Sequence, residues 1–180
     1  PSALAYARAV FTLGLTEGDL RWYGSAKAAL TPWWRAAELP AEAYFLRGLV
    51  KQGFHDFQDG LQDINRAIAL EPARAEFWSW RFALHLLLAD MTAAQNDIDA
   101  MGRLFGPGEA QVYRAVLLYR TGQPLAAVSL LDRGTVYFAK DILPEEKFLL
   151  ANAATAQATA LIPIKSSPVG APRRRSCGNT

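Results

Sequence analysis

Residues 41–72 read AEAYFLRGLVKQGFHDFQDGLQDINRAIALEP. Helical periodicity runs through both halves, and Gly53 loosens the turn between them. The first half, Ala41 to Lys51, is expected to be one helix. The second, about Phe57 to Leu70, is expected to be another, closed by Glu71-Pro72 because proline cannot continue the hydrogen-bond ladder.

The pattern then returns. Tyr44 and Trp78 stand at a spacing of 34, as do Arg47 and Arg81, Asp56 and Asp90, Ile64 and Ile98, Ala67 and Met101, and Leu70 and Leu104. A third copy follows at a spacing of 33: Arg81 with Arg114, Ala94 with Ala127, Ile98 with Leu131. A fixed period of this size marks a repeat array, in which each unit buries its apolar face only against its neighbours. Repeats are expected at 41–74, 75–107 and 108–134, with helix pairs near 75–88 and 91–104, then 109–120 and 124–133. Gly106-Pro107-Gly108 is expected to break the chain before the third repeat, which then starts at Gly108.

Upstream, residues 1–40 read as a degenerate helix pair, 2–14 and about 19–30, ended by Thr31-Pro32. Downstream, Pro144-Glu145-Glu146 looks like a helix start, with proline in the first turn and acids at the positive end of the dipole. A capping helix is expected over 144–160 and a mobile tail, rich in Lys, Ser, Pro, Gly and Arg, over 163–180. The expected fold class is all-α, in one domain over 1–162.

Composition narrows the function. The chain has 180 residues, 51% apolar and 20% charged, with 20 aromatic residues and a net charge of +2. Four of its positive charges, Lys165 and Arg173 to Arg175, stand in a stretch without acids, and residues 1–164 carry a balance of −2. The expected body is therefore no basic footprint for nucleic acid. One cysteine, Cys177, excludes an intrachain disulfide framework and a multi-cysteine zinc site. No apolar run approaches the roughly 18 residues a membrane span needs. The chain begins at Pro1 without an initiator Met, so a processed or trimmed product is expected, and a removed export signal leaves no trace.

The residues that could carry chemistry form no known pattern. His55 and His85 have no His or Cys at metal-ligand spacing. No nucleophile elbow, P-loop or dinucleotide fingerprint occurs. Glu145 and Glu146 point to different faces and make a poor acid–base pair. The chain is therefore expected to be no enzyme and to hold no cofactor.

The repeat positions resemble the tetratricopeptide repeat. That family has a large aromatic at its fourth position, as Tyr44 and Trp78. Its eighth is small, as Gly48 and Ala115 but not Phe82. Its twentieth is small, as Gly60, Ala94 and Ala127, and its twenty-fourth is bulky and apolar, as Ile64, Ile98 and Leu131. The run Ala67 to Pro72 is very close to the family's ending. About half of the chain carries this resemblance. Gly18 to Gly24, Ala28 to Trp34, Leu46-Arg47-Gly48, Gln52 and His55-Asp56-Phe57 are further similar to a group of bacterial members that tend to carry export signals. That tilts the expected compartment towards the periplasm, with the cytoplasm as the alternative.

The resemblance implies a right-handed superhelix whose first helices line a concave face. Carried over by register, that face offers Phe45, Leu49 and Gln52, then Ser79, Trp80, Ala83 and Leu86, then Val112, Tyr113, Val116, Tyr119 and Arg120. It implies a non-enzymatic scaffold taking a peptide or helix of another protein into an apolar, aromatic groove. The family's clamp for chaperone tails needs Lys and Asn where Phe45 and Leu49 stand, so that partner is not expected. The alternative is a structural or assembly part of a bacterial envelope or secretion complex that uses the convex face and Trp33-Trp34. More often such a tryptophan plugs a joint between helix pairs, and that is expected of at least one of them. Arg47, Arg81 and Arg114 recur where the family has Leu; each stem is expected to pack while its head pairs with an acid, with Glu76 and Glu109 in register to serve.

Overall fold

A computed structural model describes residues 2–134, with side chains to residue 130; the expected capping helix at 144–160 and tail at 163–180 lie outside the described residues. Nine helices follow one another there: α1 (Ala3–Glu17), α2 (Arg21–Ala29), α3 (Thr31–Trp34), α4 (Ala41–Gly53), α5 (Phe57–Leu70), α6 (Ala75–Leu87), α7 (Met91–Phe105), α8 (Pro107–Arg120) and α9 (Pro124–Gly134). Among the described residues there is no strand, and the fold class is all-α. None of the described helices is long and apolar enough to cross a membrane.

The sequence period is also the period of the helices. A spacing of 34 separates the start of α6 from that of α4, and the start of α7 from that of α5. The next spacings shorten, 32 from α6 to α8 and 33 from α7 to α9. The reason is local. The expected break at Gly106-Pro107-Gly108 is confined to Gly106, and α8 starts at Pro107, not at Gly108. Proline is pre-set for the first helical position, where its missing N–H costs nothing. Thr31-Pro32 likewise does more than end a helix: it opens the single turn of α3, which carries Trp33 and Trp34.

The turn inside each later pair is built the same way. His55, Ala89 and Gly122 all have a left-handed backbone, with φ of 65°, 57° and 81°. In each case the next residue's N–H reaches back five residues: Asp56 to the carbonyl of Lys51, Asp90 to that of His85, Gln123 to that of Leu118, at 2.8–3.0 Å. This is the Schellman closure, which satisfies a carbonyl otherwise orphaned at a helix end.

Packing runs from each helix to its chain neighbours, and α4 against α5 is the most extensive contact. A Cβ on Gly48 would stand 2.8 Å from the Gly60 carbonyl, and one on Gly60 would stand 2.9 Å from the Gly48 carbonyl. Two glycines thus let the backbones of α4 and α5 touch. The third pair of sites holds Ala115 and Ala127, both buried. In the second, Phe82 faces this role with a large ring. It is fully buried and packs edge-on to Tyr113 of α8, ring centroids 5.4 Å apart. The volume that departs from the small-residue pattern is absorbed by the next pair instead.

Two apolar clusters result. One joins α1 to α6 through residues such as Phe11, Leu30, Phe45, Leu46, Ile64 and Phe77; the other joins α6, α7 and α8 around Phe82, Ile98, Met101 and Tyr113. Each large side chain sealed there contributes about 1.5–3 kcal/mol relative to exposure.

Candidate partner-binding surface

The first helix, α1, is placed by charge and aromatic contact across two others. Arg8 donates from Nε to Glu42 of α4 at 2.7 Å and from Nη1 and Nη2 to Glu76 of α6 at 2.6 and 3.1 Å. Arg74 joins the same acids, 2.8 Å from Glu42 and 3.1 Å from Glu76. One turn along α1, Phe11 meets Trp80 of α6 edge-on at 6.0 Å and stacks on Tyr23 at 5.1 Å. α1 therefore reaches past α4 to α6.

That reach closes part of the expected groove. The Arg8 guanidinium lies 5.5 Å over the Phe45 ring, and Phe45 in turn packs on Phe77 at 4.5 Å. Phe45 is 0% exposed and Leu49 2%, so both are interior residues and offer nothing to a partner in this state. Tyr113 at 2% and Val116 at 6% are interior too, in the cluster around Phe82. Ser79, Leu86 and Val112, read onto the same face, are also buried. The resemblance assigns these positions to one wall; in the structure α1 and α8 pack with several of them. Gln52, Trp80 and Ala83 remain half-buried, and Tyr119 (38%) and Arg120 are exposed.

Electrostatics hold the closed end. Burial opposes the charge on Arg8, but the hydrogen bonds and charges of Glu42 and Glu76 outweigh it and hold the guanidinium above its ordinary value. Burial alone would also raise the Glu42 carboxyl; Arg8 and Arg74 reverse that and keep it below the usual carboxylate range.

The recurring arginines form a ladder. Arg47 donates from Nε and Nη2 to the two oxygens of Asp63 at 2.8 and 2.6 Å, while its Nη1 takes the carbonyls of Trp33, Trp34 and Ala36 at 2.9–3.3 Å. Arg81 donates to Oδ1 of Asp97 at 2.9 and 2.6 Å, while its Nη1 reaches back to Asn65 of α5 at 2.9 Å. Each arginine thus ties its own pair together and hooks the element before it. Glu76, expected as the partner of Arg81, is taken by Arg8 and Arg74 instead; the buried aspartates of α5 and α7 pair with the arginines. Their signal was in the sequence, since Asp63 and Asp97 stand at the same spacing as Arg47 and Arg81. Lys51 and His85 share that spacing and serve the same two acids, Nζ 2.9 Å from Asp63 and Nδ1 2.8 Å from Asp97.

Arg114 of α8 breaks the series. The position that answers to Asp63 and Asp97 of the earlier copies is Leu130. Arg114 is left 46% exposed, with Asp99 of α7 at 3.6 Å. It borders an open groove between α7 and α8. Trp33 and Trp34 are half-buried against the first cluster, the arrangement expected of a plug. Comparison with protein-family models and with curated proteins gives no match.

Proposed function

We propose that this chain is a non-enzymatic scaffold of tetratricopeptide type, and that its first helices α1, α4, α6 and α8 form the inner wall of a right-handed superhelix. The partner is a peptide or helix of another protein. The observation that carries this reading is the recurrence, at spacings of 32 to 34, of a helix pair with the same left-handed turn, the first two pairs sharing an arginine–aspartate tie. Arrays of that kind stack into extended surfaces suited to laying down an elongated ligand.

The contact residues proposed are those that intramolecular packing leaves accessible: Gln52, Trp80, Ala83, Tyr119 and Arg120. Trp80 and Tyr119 are the anchors, because partly exposed aromatics bury much area at small entropic cost. The test is a pull-down with the intact chain, repeated with Trp80→Ala and Tyr119→Ala. A partner held through this wall is lost from both variants and kept by Leu125→Ala, which alters an exposed residue of α9. Equal capture by all four proteins removes the wall from the proposal. Self-association of the isolated chain in light scattering favours the other reading, a structural component of an envelope or secretion assembly.

A further inference from the structure

We infer that Arg114 is a recognition site for an acidic side chain of a partner protein, held in the groove between α7 and α8. This inference stands apart from the inner-wall reading, since the groove uses none of the residues proposed there.

Three arginines occupy one repeat position, and two of them show what that position is built to hold. Arg47 and Arg81 each close on a carboxylate presented by the second helix of their own pair, at 2.6–2.9 Å. Both aspartates are nearly sealed, and each has its arginine as a close partner beside Lys51 or His85. In the third copy Leu130 stands where the aspartate would be. The half-buried Leu130 offers no carboxylate; its backbone carbonyl accepts from Nε2 of Gln111 at 2.6 Å. Arg114 therefore keeps the rigid fork of donors that suits a carboxylate, without the carboxylate that its predecessors have at that position.

The ion pair it makes among the described residues does not replace that carboxylate. Asp99 stands where Asn65 stands in the copy before, on the preceding helix, and its Oδ1 lies 3.6 Å from Nη2 of Arg114 while accepting from Gln95 at 2.9 Å. That is an exposed, single-point contact, of the class that contributes little.

The surroundings favour the same ligand. The groove is lined by Met91, Gln95, Asn96, Leu117 and Gln123 among others, and among the described residues Arg114 is the one charged side chain in that lining. A cation among neutral amides and apolar stems complements a single acidic side chain flanked by apolar neighbours. A neutral peptide would leave the guanidinium with Asp99 alone, and a second cation would be repelled.

The experiment uses the intact chain and two blocked tripeptides, acetyl-Leu-Asp-Leu-amide and acetyl-Leu-Asn-Leu-amide. They differ only in the carboxylate. The Nε–Hε signal of Arg114 is followed by NMR during titration. The aspartate peptide is expected to move that signal saturably, at least tenfold more tightly than the asparagine peptide. Leu130→Asp rebuilds the missing partner and is expected to weaken peptide binding at least tenfold. Asp99→Asn, a near-isosteric change at a half-buried position whose amide oxygen can still accept from Gln95, removes the competing acid and is expected to tighten it severalfold. Equal response to the two peptides overturns the proposal. So does wild-type affinity in a folded Leu130→Asp chain, and so does weaker binding by Asp99→Asn.

Discussion

Arg47 and Asp63 face each other across the α4–α5 pair as a two-point fork, and one repeat later Arg81 closes with the same two nitrogens on one oxygen of Asp97, Oδ1. The relation explains why a cation is tolerated where an apolar residue would pack. The stem lies among the helices, and the head neutralises a carboxylate that has lost its water.

Breaking that relation at one end should be severe. Asp97→Ala leaves the Arg81 head with Asn65 and takes the carboxylate from His85, and loss of one partner of a buried pair costs about 3–5 kcal/mol. Asp99→Ala, two residues away and with its side chain 45% exposed, should cost less than about 1 kcal/mol. Urea denaturation of the two variants separates them; similar midpoints would show that the buried tie contributes nothing special.

The left-handed turns give a prediction of opposite sign. Ala89 holds a φ of 57° that its Cβ resists. Ala89→Gly should therefore stabilise the chain by up to about 1 kcal/mol, and Gly122→Ala should destabilise it by a similar amount. Thermal melts read both; a lower melting temperature for Ala89→Gly would contradict the assigned turn.

Glycine should behave differently inside two helices. Gly48→Ala drives a methyl to 2.8 Å from the Gly60 carbonyl, and overpacking of this kind costs about 1–3 kcal/mol. Gly24→Ala in α2 meets open space and should gain roughly 0.5–1 kcal/mol from helix propensity. Chemical denaturation of both variants gives the sign of each.

Acid should loosen the N-terminal end. The Glu42 carboxyl titrates below its ordinary 4.5 when folded, so its contribution is complete above that value and is lost as pH falls through the depressed one. Melting temperature measured from pH 6 downwards should fall more steeply for wild type than for Glu42→Gln below about pH 4.5. Parallel curves would remove Glu42 from the tie.

The array was legible in the sequence because its punctuation is chemical. Pro72, Gly106 and the echo of Tyr44 in Trp78 mark helix ends and faces without reference to anything distant. The wall was less legible. Phe45 and Tyr113 read as groove residues because register gives the face on which a side chain lies and not what lies over it. Arg8 and Phe11, which cover part of that face, sit in a helix pair that shares little of the repeat pattern. The ladder was legible in half: the arginines stand out, whereas Asp63 and Asp97 pass as ordinary polar positions on amphipathic helices.

Arg8 has a consequence for how the molecule comes apart. A chain of stacked units held only by adjacent interfaces can fray from either end, one unit at a time. By gripping Glu42 and Glu76 together, Arg8 fastens the leading end to the second and the third unit at once. Hydrogen exchange should then find α1 to α6 opening as a single block, with slow amides throughout, while α8 exchanges on its own clock.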